Sequence, residues 1–153
     1  MNAEDFNDDK KDAGELGAGH TVTALYEVIP ANSGEKISKH DALKYQKTQI
    51  TNASATDEML TIKFRYKRPK ENESILITKT IIDSGVPLDL ASNNFRFSSA
   101  VAGLGLLLRD SQYKGEASFI MIENLAKSAK GTDSNGYRQE FIDMIETSAL
   151  LSK

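Results

Sequence analysis

The chain has 153 residues, a formal net charge of −3, a pI near 5.4, and 39% hydrophobic against 27% charged residues. That is enough to bury the core of one domain, and the acidic balance argues against a nucleic-acid binder, which normally carries a basic stripe. With no cysteine, disulfides, thiolate metal sites and a cysteine nucleophile are excluded, and His20 and His40 are the whole imidazole supply. No apolar run approaches the roughly 18 residues of a membrane-spanning helix, so no transmembrane segment is expected, and no charged-then-apolar leader is visible at Met1.

Residues 1–19, MNAEDFNDDKKDAGELGAG, are polar, acidic and glycine-bearing, with only Phe6 and Leu16 as anchors. They are expected to form a flexible acidic N-terminal segment. Asp5, Asn7 and Asp9 have the spacing of a calcium loop, but Lys10 stands where that loop needs glycine and Leu16 where it needs glutamate. A solvated charge run is the better account, and no metal or cofactor is expected.

Residues 21–29 change character. Val22, Ala24, Tyr26 and Val28 alternate with Thr21, Thr23, Leu25 and Glu27, which predicts a strand stopped by Pro30. His20 sits at its mouth. Residues 31–57 are a long polar connection in which Leu43, Tyr45 and Ile50 are the candidate anchors. Residues 59–67 alternate most clearly: Leu60, Ile62, Phe64 and Tyr66 face a core, while Thr61, Lys63, Arg65 and Lys67 face water. A polar turn over 69–73 and a second strand over 75–82 complete a β-hairpin. Lys63, Arg65 and Lys67, with Lys79 beside them, form a basic face that would suit an anionic partner, although a solvated sheet face is the simpler reading.

The longest apolar run follows, FRFSSAVAGLGLLLRDS over 95–111. Phe97, Ala100, Val101, Leu104, Leu107 and Leu108 recur at helical spacing and predict a buried central helix, with caps offered by Asn93 and Asn94 and a C-terminal cation in Arg109. Gly103 and Gly105 each cost about 1 kcal/mol against alanine inside a helix, so close packing of another backbone is expected there. Ser118 caps a second helix running to about Ala129, with Phe119, Ile122, Leu125 and Ala126 inward. A third helix, capped from among Asp133, Ser134 and Asn135, spans about 137–151 with Phe141, Met144, Ile145 and Ser148 inward. Strands first and helices afterwards give an α+β fold: a small antiparallel sheet packed with a C-terminal three-helix bundle, in one domain over 20–153.

Recognisable chemistry is sparse. Gly14, Gly17 and Gly19 precede a strand, whereas phosphate loops follow one and open a helix. Asp110 is placed to pair with Arg138 or Lys114, with Tyr113 and Tyr137 over the same joint, as a structural tie between helix junctions. The candidate interaction surface is therefore Lys63, Arg65, Lys67, Arg109, Asp110, Tyr113 and Arg138. Catalytic, cofactor and metal residues are not assigned.

Five stretches, KDAGELGAGHTVTALYEVIP (11–30), LKYQ (43–46), LTIKFRYKRP (60–69), FRFSSAVAGLGLLLRDSQYKG (95–115) and GYRQEF (136–141), together resemble the C-terminal domain of bacterial von Willebrand factor type A domain proteins. The second helix departs somewhat, since Ser118-Phe119-Ile120-Met121 lacks the acidic residue that completes a capping box. The resemblance implies a domain that follows the A domain in a larger, typically exported and often lipid-anchored protein. It also implies that the family's metal-dependent adhesion site belongs to that upstream domain. Three readings follow. The first is a non-catalytic module at the cell envelope, supporting the A domain or contacting another protein. The second is a hydrolase using His20 beside the turn at Gly17 and Gly19. The third is a structural partner completing a sheet with strands lying upstream.

Overall fold

The computed structural model describes residues 3–11, 14–30, 33 and 56–152. It is an α+β fold, a two-stranded antiparallel hairpin followed by three packed helices. The chain divides into two compact units, one of residues 1–22 with 27–85 and one of residues 23–26 with 86–153.

In the first unit, β1 (Glu58–Tyr66) pairs with β2 (Ile75–Ile82). Directly opposed residues of an antiparallel pair share a face. Ile62 opposite Lys79, Phe64 opposite Ile77 and Tyr66 opposite Ile75 therefore make one face, and Lys63 opposite Thr78 and Arg65 opposite Leu76 make the other. The predicted hairpin forms, with two corrections. Lys79 lies on the apolar face, not beside Lys63. The apolar face is not a core either: Phe64 is 56% and Ile77 50% exposed, and no residue of either strand is fully buried.

Residues 21–29 do not form the expected strand. They carry no ladder among the described residues, and Val22 and Tyr26 are among the most exposed large side chains of the chain. Alternation fits the sequence to a pleated ribbon, but only a neighbour's carbonyls and amides make a strand. A short 3-10 helix at Ala3–Asn7 opens the N-terminal segment. Leu43, Tyr45, Ile50 and His40 lie outside the described residues.

The second unit holds the core. The α1 helix (Asn93–Leu108), α2 (Phe119–Ser128) and α3 (Tyr137–Leu151) all contribute, with Ala100 and Leu104, Ile122 and Ala126, and Ile142 and Ile145 as the buried centre. Phe97 and Phe141 pack edge to face beside it, centroids 5.3 Å apart. The predicted stripes hold at their centres and shift at their edges. Val101, Leu108 and Met144 are exposed, and Ile142, one position from the predicted Phe141, is buried. The first cap is Ser92, whose Oγ accepts from the Phe95 N–H at 3.2 Å, in place of Asn93 or Asn94. Ser118 caps α2 as expected, accepting from the Met121 N–H at 3.3 Å.

Of the two helical glycines, only Gly103 is used for close approach. A Cβ there would stand 3.0 Å from Ile122 Cδ1, whereas one on Gly105 would meet nothing within 4 Å. Gly105→Ala should therefore raise the stability to denaturant by about 1 kcal/mol through helix propensity alone. Gly103→Ala should forfeit that gain or lose stability, and pairing it with Ile122→Val in a double-mutant cycle should restore part of it.

Candidate functional site

The densest polar cluster in the helical unit lies where α2 ends. A helix terminus leaves carbonyls without partners, and a helix C-terminus carries partial negative charge, so cations suit it. Arginines come from both neighbours. From α1, Arg96 donates through Nη2 to the Ser128 carbonyl at 2.6 Å and through Nη1 to the Asp89 carbonyl at 2.9 Å, which also ties in the 3-10 turn Leu88–Leu90. From α3, Arg138 donates through Nη1 to the carbonyls of Ala129 at 2.9 Å and Lys130 at 3.2 Å, and through Nη2 to Asn94 Oδ1 at 2.6 Å. Its guanidinium lies over the Phe97 ring, 4.7 Å from the centroid. Three consecutive carbonyls at the end of α2 are thus held by two side chains from different helices.

The loop beside them is shaped by Asp133 and Gly136, both at positive φ (43° and 75°). Gly136 is the N-cap residue of α3 by position and has no side chain to cap with. Asp133 serves instead, accepting the Arg138 N–H on Oδ1 at 3.1 Å and the Gln139 N–H on Oδ2 at 2.9 Å. Burial works to raise its carboxyl pKa, but those two N–H groups, with Lys130 and Arg138 nearby, hold it below the ordinary carboxylate range. A cleft of about 510 Å³ opens here, between Asn94, Lys130, Asp133, Tyr137 and Arg138. A second, apolar groove of about 560 Å³ lies between Leu88, Gly103, Met121 and Leu125.

The remaining candidates are not gathered at this corner. Asp110 pairs with Lys114, and that partner holds its carboxyl below the usual range. Arg109 donates through Nε to the Gly105 carbonyl at 3.2 Å. Both sit past the C-terminus of α1, whereas Arg138 reaches Asn94 in its first turn, and a helix of 16 residues is about 24 Å long. Of the two expected partners of Asp110, Lys114 pairs with it and Arg138 does not. Tyr113 and Tyr137 are both largely exposed.

In the hairpin unit, the basic face meets the acidic N-terminal segment. Arg65 donates to Ser74 Oγ at 2.7 Å and to Asn7 Oδ1 at 3.2 Å, and lies 5.6 Å from the Phe6 ring centroid. Asp9 accepts the Ser74 N–H at 3.3 Å, and its backbone carbonyl accepts from Lys67. Ser74, aided by Lys67 and Arg65, holds the Asp9 carboxyl below its ordinary value. Asp5, the first residue of the calcium-like spacing, pairs with Lys11 at 3.4 Å. Lys63 stays exposed. His20 folds over the turn at Gly17, with Nδ1 3.2 Å from the Ala18 carbonyl, and is exposed. No three metal-ligating side chains converge among the described residues, and no described helix is long and apolar enough to cross a membrane.

The family described as "Uncharacterized protein YfbK, C-terminal" matches residues 1–151 of this chain. The chain belongs to the YfbK C-terminal family. The curated "Uncharacterized protein YfbK" of Escherichia coli (strain K12) is 37% identical over 147 residues, which are 95% of this chain and 24% of that protein. The chain thus spans about a quarter of the length of this YfbK relative. No solved structure matches. Reasoning from sequence missed the joint role of Arg96 and Arg138 in this YfbK-family chain, because their acceptors are backbone carbonyls, which no residue letter reveals.

Two outcomes follow for the YfbK C-terminal region. Arg138→Ala should cost about 2 kcal/mol in chemical denaturation, from lost charged hydrogen bonds and the ring contact. Arg138→Lys should recover little of it, since one ammonium cannot span two carbonyls, Asn94 and the Phe97 face. Asp9 and Asp133 have depressed folded pKa values, so their contacts are complete above the ordinary aspartate pKa of about 4 and are lost as pH falls through the lower folded value. In an acid titration followed by amide chemical shifts, Ser74, Arg138 and Gln139 should move with midpoints below about 4.

Proposed function

We propose that this YfbK C-terminal region is a non-catalytic module of a bacterial cell-envelope protein, making protein–protein contact with a von Willebrand factor type A domain that precedes it in the same polypeptide. The observation that carries this reading is how the charged side chains at the polar cleft are used. Arg138 holds backbone carbonyls, Asp133 caps a helix and Lys130 donates to Gln139 Oε1 at 2.9 Å. Groups committed to backbone geometry serve as struts, and an active site instead keeps titratable groups poised toward a cavity. His20, with a carbonyl as its hydrogen-bond partner, favours the same reading.

Two further points support it. The region accounts for 24% of the E. coli relative, which leaves room for a domain of another kind. The five stretches quoted above resemble a domain found after an A domain, and that resemblance also supports the envelope location.

Removing this region from the longer protein should lower the unfolding temperature of what remains, by about 2–4 °C for each kcal/mol of lost contact. His20→Ala in the intact protein should leave that temperature unchanged. An unaltered melt after truncation would sink the supporting role.

A further inference from the structure

The hairpin is an unfinished piece of sheet. A two-stranded ribbon is marginal in water and needs a third strand or a packed cover. Here Ile62, Phe64, Tyr66 and Ile77 share one face with Lys79 at its end opposite Ile62, and all four apolar residues are at least a third exposed. Monomeric proteins rarely leave an apolar strip of this kind open, and such strips mark contact surfaces. The outer edges of both strands are also without ladder partners among the described residues. The opposite face is different. There Arg65 and Ser74 are engaged by Asn7 and Asp9 of the chain's own N-terminal segment.

That segment indicates what covers the apolar side. Phe6, Asn7 and Asp9 bring the N-terminal end of this region directly against the hairpin, so whatever precedes it in a longer YfbK-like protein enters at this spot. The ribbon is only two strands wide, about 5 Å apart, so a few extended residues at roughly 3.3 Å each suffice to round its edge. A covering element tethered this closely acts at a high effective concentration, which favours it over a second copy of the chain. The E. coli relative has about three quarters of its length outside the matching region.

We infer that the apolar face of the hairpin, centred on Phe64 and Ile77, is a docking surface for an apolar segment of the preceding part of the same YfbK-like polypeptide, which packs over it as a cover. This rests on the proposed contact with a preceding domain and places that contact on a named surface.

The test uses the full-length YfbK-like protein with a benzophenone-bearing amino acid in place of Phe64, irradiated and mapped by mass spectrometry. The expected product is an intramolecular cross-link to a peptide preceding this region, and the same probe at Lys63, on the opposite face, should not yield that peptide. A cross-link between copies, one to residues 86–152, or none at all would overturn the inference. In a second measurement, Phe64→Asp in the full-length protein should speed amide exchange in both strands at least about tenfold, as loss of a protecting cover does. Unchanged exchange would also overturn it. If truncation lowers the melt of the preceding region while the Phe64 probe reaches only residues 86–152, the supporting role stands and this surface is wrong. If the probe reaches the preceding region while truncation changes nothing, the surface stands and the supporting role falls.

Discussion

The arginine contacts at the end of α2 set the geometry of the helical unit. Arg96 and Arg138 come from helices on either side and meet at three successive carbonyls, so the C-terminus of α2 fixes where α1 begins and where α3 begins. Hydrophobic burial brings three amphipathic helices together but is non-directional and leaves their sliding poorly determined. Hydrogen bonds from a planar, always-charged group supply the missing register. Lys127 adds a weaker link of the same kind, bridging Glu123 on its own helix and Glu146 on α3, and those two carboxylates raise its pKa. Its side chain is about half exposed, so it contributes orientation more than stability.

The two units differ in how self-sufficient they are. In the helical unit, residues from all three helices form one contiguous buried cluster, with capped or cation-satisfied ends. The hairpin unit has a well-formed ladder and no buried side chain in either strand. On its polar face Asn7 and Asp9 engage Arg65 and Ser74, while Lys63 stays exposed. Locally engaged polar groups on one face and open apolar area on the other make the hairpin directional.

Much of this was legible in the sequence where the signal is local. Period-two alternation over β1, the polar turn that follows it and the cap at Ser118 are short-range patterns, and the hairpin and α2 form as the residues suggest. The stripe of α1 places Ala100 and Leu104 correctly because both lie at its centre, while Val101 and Leu108 at its margins depend on how far the neighbours wrap around. The facing of Lys79 depends on register, which the turn residues alone do not fix. The pattern at 21–29 reports a preference for extended backbone and nothing about whether a partner is at hand. At the polar corner, Asp133 was named as a cap, but its reach past Gly136 to Arg138 and Gln139 depends on two left-handed residues in one loop.

Among the described residues, three of the seven buried in the core are alanines, Ala100, Ala126 and Ala129, each with no exposed area. A methyl group has no rotamer to change, so a longer side chain at these fully buried positions has no free volume to enter. Such an interior is governed by a ceiling on bulk and not by a demand for greasiness. Valine and leucine satisfy the polarity requirement at these positions and still overpack them, at a cost of about 1–3 kcal/mol. Sequence drift in this trio is therefore confined downward in side-chain size, and its tolerance runs opposite to that of a leucine-packed bundle, where truncation is the usual injury.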